Sequence, residues 1–215
     1  TLPIGCTRNV LIPILEKSSK LKVGNEFSVA YTPERTAEGV ALKELKENPQ
    51  IIGGYDENST KKALSFFNNI SPSVIKVSSL EAAELCKLID NSYRDHIFAY
   101  INQFTELAEN INVDLTKIVD SVNQGYARNN IPKPSPSVGG ACLYKDPHIL
   151  ASSFNEYNLD QSLILKSRKI NELGHIQVFK KLQKLLKLAK KNVYDSKIFL
   201  IGMAFKGIPE TSDLR

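Results

Sequence analysis

A stripe of apolar side chains spaced three and four apart runs through the middle of the chain: Ala83, Cys86, Ile89, Tyr93, Ile97, Tyr100, Ile101, Phe104 and Ala108. That spacing is the period of an α-helix, and a stripe of this length has to be covered by something. It also divides the sequence in two. Before it, residues 27–31, 50–53 and 73–77 are short β-branched or aromatic runs bounded by turn residues, and 57–69 has a helical pattern. Strands separated by helices predict an α/β layer. Residues 7–17 read as a further helix, which Pro13 should kink or end early. No Gly-x-Gly-x-x-Gly occurs, so no complete dinucleotide-binding fold is expected.

From Ser79 onward the pattern is helical. Asp114 is placed to cap a second helix carrying Leu115, Ile118, Val119 and Val122, with Gly125 as its stop. Residues 126–148 read as loop, 160–193 as a long basic helix, and 197–205 as a strand. A lone terminal strand leaves its backbone groups unpaired. With Thr1 as first residue and Met203 as sole methionine, the chain reads as a piece of a longer protein, cut at both ends.

Composition narrows the function classes. Apolar residues make up 42% and charged residues 24%, as in a folded, soluble chain. The longest uncharged apolar run, 198–205, is far short of the roughly 20 residues of a membrane span. Three cysteines are too few for a disulfide framework, and a reducing cytoplasm is expected. The net charge of +5 is concentrated late, with twelve Lys or Arg against six Asp or Glu from Ala151 onward. Lys180, Lys181, Lys184, Lys187, Lys190 and Lys191 share that segment with Leu182, Leu185, Leu186, Ala189 and Val193 at helical spacing. This is the solvated face of an amphipathic helix; no interleaved aromatics accompany the lysines, so nucleic acid is not an expected partner.

Cys142 is the sharpest candidate for chemistry. It follows Gly139-Gly140, where backbone can approach a ligand closely, and precedes Lys145 and Asp146. A neighbouring cation or helix N-terminus would make its thiolate available, whereas a lone cysteine elsewhere is commonly a small buried hydrophobe. Glu84, Lys87, Asn91 and Arg94 form a polar stripe at spacing three, four and three. It is either a solvated face or a set of groups able to hold an oxyanion or a water. Glu34 and Glu38 follow the first strand, where α/β sites lie, or else begin a helix. A cysteine hydrolase using His148 or His96 lacks an evident orienting third group.

Pro33-Glu-Arg-Thr-x-x-Gly with Pro49-Gln-Ile-Ile-Gly-Gly, Ala83-Glu-Leu-x-Lys-Leu-x-x-Asn-x-Tyr-Arg-Asp, and Val138-Gly-Gly-x-Cys-Leu-x-Lys-Asp-Pro together resemble one family. They are similar to the nucleotide-sugar 6-dehydrogenases: the UDP-glucose and GDP-mannose dehydrogenases and their UDP-N-acetylmannosamine branch. Gly202-Met-Ala-Phe-Lys-Gly with Asp213-Leu-Arg215 looks like the opening of that family's UDP-binding domain. The resemblance implies an α/β plus all-α architecture. Residues 1–78 would be the C-terminal part of a Rossmann-like NAD-binding domain. Residues 79–195 would be the helical central domain, with a long connecting helix, on which the family forms homodimers. Residues 196–215 would hold the first strand of a second α/β domain.

The implied activity is NAD-dependent, four-electron oxidation of the C6 hydroxyl of a nucleotide-sugar to the uronate, without a metal. The chain by itself is expected to be inactive. By the matching motifs Cys142 would form a thiohemiacetal and then a thioester, while Lys87 and Asn91 stabilise the oxyanion. Asp146 would act with Lys87 and a water as base, and Glu34 would assist thioester hydrolysis. Arg35, Thr36, Ala37, Glu38, Gly139, Gly140 and Lys206 would contact the substrate, Arg128 would reach that of the partner subunit, and Lys145 and Arg215 would face the cofactor. Ser137 stands where the family has Gly, and a positive φ there would be costly. The sugar stays open, because Pro33-Glu-Arg matches the N-acetylmannosamine and GDP-mannose branches and the Cys142 motif the UDP-glucose branch. The competing reading is a non-catalytic helical dimerisation module.

Overall fold

Ser79 starts the long helix that the apolar stripe predicts: its Oγ accepts the N–H of Ala82 at 3.2 Å, the bond expected of a cap. The computed structural model describes residues 1–202, so the readings on 203–215, including Lys206 and Arg215, lie outside the described residues. The described residues divide into two units, residues 1–91 with 149–159, and residues 92–148 with 160–202.

In the first unit a π-helical turn, Thr7–Leu11, runs directly into α1, Ile12–Ser19. Pro13 does not end this helix, which continues to Ser19; it stands in the first turn of α1, directly after the π-helical turn. Three strands form the sheet: β1 (Ala30–Tyr31), β2 (Gln50–Gly54) and β3 (Val74–Lys76). β1 pairs antiparallel with β2, and β2 pairs parallel with β3. Between β1 and β2 lies α2 (Ala41–Glu47), and the crossover from β2 to β3 is α3 (Glu57–Phe67). Asp56 caps α3, its Oδ1 accepting the N–H of Ser59 at 2.7 Å. Gly53 lets the Ser79 backbone approach β2, since a Cβ there would lie 2.0 Å from the carbonyl oxygen of Ser79. The expected α/β layer is present, with Ile52 of β2 fully buried in it.

α4, Leu80–Asn102, begins in the first unit and continues into the second, followed by α5 (Thr105–Asn110). α6 (Leu115–Asn123) is capped by Asp114, whose Oδ1 accepts the N–H of Thr116 at 2.9 Å and of Lys117 at 3.3 Å. Gly125 stops it with φ +67°. Three expectations are corrected. The loop read over 126–148 ends at Gly140, because α7, Ala141–Glu156, takes Pro147 into its interior. The single helix read over 160–193 is two, α8 (Ser162–Glu172) and α9 (Gly174–Leu188), broken at Leu173. Gly174 fits this break because a Cβ would come 2.0 Å from the Pro136 carbonyl oxygen. Residues 197–202 form no strand; a strand needs a neighbour for its backbone groups, and none pairs with them among the described residues. Among the described residues no helix is long and apolar enough to cross a membrane.

Candidate active site

The polar stripe of α4 is buried. Glu84, Lys87 and Asn91 are each at most 5% exposed, while the fourth member, Arg94, faces outward. The apolar stripe, by contrast, is split: Ala83 and Ile101 are buried, but Ile89 and Tyr93 are 53% and 61% exposed. Burying a carboxylate requires donors, and Glu84 has three. It accepts the N–H of Gly5 at 2.6 Å, the N–H of Thr7 at 2.8 Å and the hydroxyl of Thr7 at 2.6 Å. Those bonds fasten α4 to the start of the π-helical turn.

Lys87 lies one turn further along the helix and acts on Glu34. Burial raises the Glu34 carboxyl, but hydrogen bonds from Thr36 and the charge of Lys87 outweigh it and hold it below its ordinary value. The Thr36 hydroxyl donates to Glu34 Oε1 at 2.5 Å, and the Thr36 N–H donates to the same oxygen. Ala37 is fixed by its N–H to Glu44 Oε2 at 2.6 Å. Arg35, Thr36 and Ala37 are half-buried, whereas Glu34 and Glu38 are exposed. The loop after β1 therefore presents the Glu34 carboxylate held by its own neighbour, Thr36.

In the second unit the chain turns into α7 at Gly140, whose φ is +88°. Ser137 is not among the residues of positive φ, so the expected strain at this departure from the family pattern is absent; its hydroxyl donates to the Asn171 carbonyl at 3.0 Å. Cys142 thus sits in the first turn of a 16-residue helix and is exposed. The unpaired N–H groups of such a turn favour negative charge beside them. Asp146, one turn on, is fully buried and hydrogen-bonded by Lys145, whose own side chain is 47% exposed. Lys145, expected at the cofactor, is engaged in this pair.

Sequence reading gave no role to the group that holds this turn. Arg168 of α8 is 1% exposed, and its Nη1 donates to Asp95 Oδ1 at 2.5 Å and to the Leu143 carbonyl at 2.7 Å. Its Nη2 donates to the Val138 carbonyl at 2.9 Å. Asn171, one turn further, donates to the carbonyl and Oδ1 of Asp95 at 2.7 and 2.8 Å. Burial pushes the Asp95 carboxyl up, against the hydrogen bond from Asn171 and the charge of Arg168. Asp95 did lie at the end of the quoted Ala83 motif. Arg168 and Asn171 carried no signal, since in an amphipathic helix they resemble a solvated face.

Residues 137–140, Tyr144, Arg168 and Glu172 line a cavity of about 410 Å³, within the range of small-molecule sites. Gly139 and Gly140 are in its wall. Arg128 is exposed, its guanidinium 5.0 Å from the centre of the Tyr126 ring. Among the described residues neither His96 nor His148 pairs with a thiol: His96 Nδ1 is 2.7 Å from the Ser167 hydroxyl, and His148 Nε2 is 3.5 Å from Glu172.

Comparison with known proteins fits this arrangement. Residues 1–71 match the NAD binding domain of the UDP-glucose/GDP-mannose dehydrogenase family, and residues 81–173 match its central domain. The UDP-N-acetyl-D-mannosamine dehydrogenase of Methanocaldococcus jannaschii is 32% identical over 207 residues, 96% of this chain and 44% of that protein. That of Pyrococcus horikoshii is 34% identical, over 96% of this chain and 48% of that protein. The solved Pyrococcus horikoshii UDP-D-ManNAc dehydrogenase superimposes with a TM-score of 0.82 at 31% identity, over 89% of this chain and 44% of that one. The chain spans about half the length of the curated relatives it matches. With both its α/β and its helical segments matched in order, this chain belongs to the UDP-glucose/GDP-mannose dehydrogenase family.

Proposed function

We propose that the protein carrying this chain oxidises the C6 hydroxyl of a UDP-N-acetylhexosamine, UDP-N-acetylmannosamine first among them, to the uronate, with Cys142 as covalent nucleophile. The observation that carries this reading is the burial of Lys87 and Asn91, because an ammonium and an amide inside a helix face have a cost that solvation alone does not repay. The substrate class follows the names of the relatives, UDP-N-acetyl-D-mannosamine dehydrogenases in Methanocaldococcus jannaschii and Pyrococcus horikoshii. The rest of the implied layout belongs to the same proposal: 1–78 as part of the NAD-binding domain, 79–195 as a central domain that dimerises, and 196–215 opening a nucleotide-sugar domain. Exposed Ile89 and Tyr93 on α4 support the dimer.

Two parallel strands joined by α3 are the unit from which dinucleotide-binding layers are built, so residues 1–71 fit the NAD domain they match. The glycine-rich turn is not in this sequence, and no residue here is assigned to the pyrophosphate. NAD supplies the hydride acceptor for both oxidations, and Lys145 is this chain's candidate to contact it. Asp146, with Lys87 and a water, takes the proton of the C6 hydroxyl in the first oxidation. The Cys142 thiolate then adds to the C6 aldehyde, forming the C–S bond of a thiohemiacetal. Lys87 and Asn91 donate to the oxyanion this creates. Loss of the second hydride from C6 leaves a thioester, whose C–S bond is broken by water with Glu34 assisting. A thiolate suits both roles, being a soft nucleophile and a tolerable leaving group.

The test is turnover of a full-length protein carrying this sequence with UDP-N-acetylmannosamine, UDP-glucose and GDP-mannose. Wild type should release two NADH per uronate, fastest with the first sugar. Cys142→Ala should lower uronate formation by about 10³-fold or more. Undiminished uronate formation by Cys142→Ala contradicts the reading.

A further inference from the structure

Inside a helix a carbonyl accepts from the N–H four residues on, and Pro147 has none to give to Leu143. The carbonyl next to the candidate nucleophile is therefore freed within the first turns of α7. Arg168 Nη1 fills that vacancy at 2.7 Å, while Nη2 holds the Val138 carbonyl at 2.9 Å. One guanidinium thus ties residue 138, before the Gly-Gly turn, to residue 143, after Cys142. An arginine kept only to neutralise Asp95 would grip both carboxylate oxygens with its fork. Here Asp95 Oδ2 and Arg168 Nε are buried without a hydrogen bond, although Nε lies 3.4 Å from Glu172. Two of the fork's nitrogens are instead committed to the turn. Asp95 holds the fork from behind, Asn171 in turn donates to Asp95, and Asn102 donates to Asn171 Oδ1 at 3.2 Å.

We propose that Arg168 is a positioning residue for Cys142: it replaces the backbone bond that Pro147 removes and fixes the turn that aims the thiol. The role in catalysis rests on Cys142 being the nucleophile. The clamp itself does not, so it is tested without cofactor or sugar.

The experiment is alkylation by iodoacetamide, read peptide by peptide for Cys6, Cys86 and Cys142, beside a thermal melt. Arg168→Lys keeps a positive charge near Asp95 but cannot span both carbonyls. It should slow Cys142 about fivefold, the loss of one helix-terminus interaction, and leave Cys6 and Cys86 within about twofold. Asp95→Asn removes the ion pair and keeps both carbonyl bonds, so it should lower the melting midpoint and leave the Cys142 rate within about twofold. Pro147→Ala returns the missing N–H, and should raise the midpoint of Arg168→Lys more than that of wild type. Should Arg168→Lys not fold, the pair Asp95→Asn with Arg168→Gln, which leaves no lone buried charge, should slow Cys142 in the same way. A folded Arg168 variant with Cys142 at the wild-type rate, or one in which all three cysteines shift together, overturns the proposal. If Cys142 slows as expected while Cys142→Ala still forms uronate, the clamp stands and the nucleophile assignment falls.

Discussion

α4 and α9 carry the same kind of pattern and meet opposite fates. Each has polar side chains three and four apart along one face: Glu84, Lys87 and Asn91 on α4, Lys180, Lys184 and Lys187 on α9. On α4 the polar set is inside and Ile89 and Tyr93 are outside; on α9 no residue is buried and every one of those lysines is exposed. The difference lies in chemistry rather than spacing. The α4 set mixes an acid, a base and an amide, and Glu84 finds three donors in Gly5 and Thr7. The α9 set has a single sign, so its members repel one another, and among the described residues none of the three has a carboxylate partner; only the adjacent Lys181 reaches Glu109, at 2.6 Å. A mixed polar stripe can be satisfied internally, whereas a uniform one needs water.

That contrast can be broken energetically. Glu84→Ala should destabilise the chain by about 3 kcal/mol, because the N–H groups of Gly5 and Thr7 lose their acceptor inside the protein. Lys184→Ala should stay within about 0.5 kcal/mol of wild type. Denaturant unfolding of the two variants measures both, and equal effects would erase the distinction. The outward side of α4 offers a smaller effect. Tyr93→Asp should weaken self-association by about 30-fold, the cost of one interface anchor, with little change in unfolding. Sedimentation of the two proteins over a dilution series checks it; an unchanged or wholly monomeric wild type removes this face from the dimer.

Much of the fold was legible where local signals agree. Ser79 and Asp114 are caps with the right residues behind them, and β2 is a β-branched run closed by glycine. The first turn of α7 was not legible. Pro147 reads as punctuation, yet it sits inside the helix because Arg168, 21 positions later in the sequence, bonds the carbonyl the proline abandons. The break at Leu173 was hidden for a similar reason, since it depends on the Pro136 backbone pressing on Gly174. At the site, spacing alone could name Glu84, Lys87 and Asn91 as one face. It could not say which way the face turned, because that depends on donors from residues 5 and 7. The proposed roles of Cys142 and Glu34 rest on motifs that resemble the family's, and Arg168 belongs to none of them.

The most direct test of the account is the rate of Lys87→Met in a full-length protein carrying this sequence, beside Lys187→Met. Methionine fills the buried space without the charge. If the inward stripe of α4 holds the oxyanion, NAD-dependent uronate formation by Lys87→Met should fall by about 10²- to 10³-fold, with Lys187→Met within about twofold of wild type. A folded Lys87→Met enzyme that turns over at the wild-type rate would contradict it.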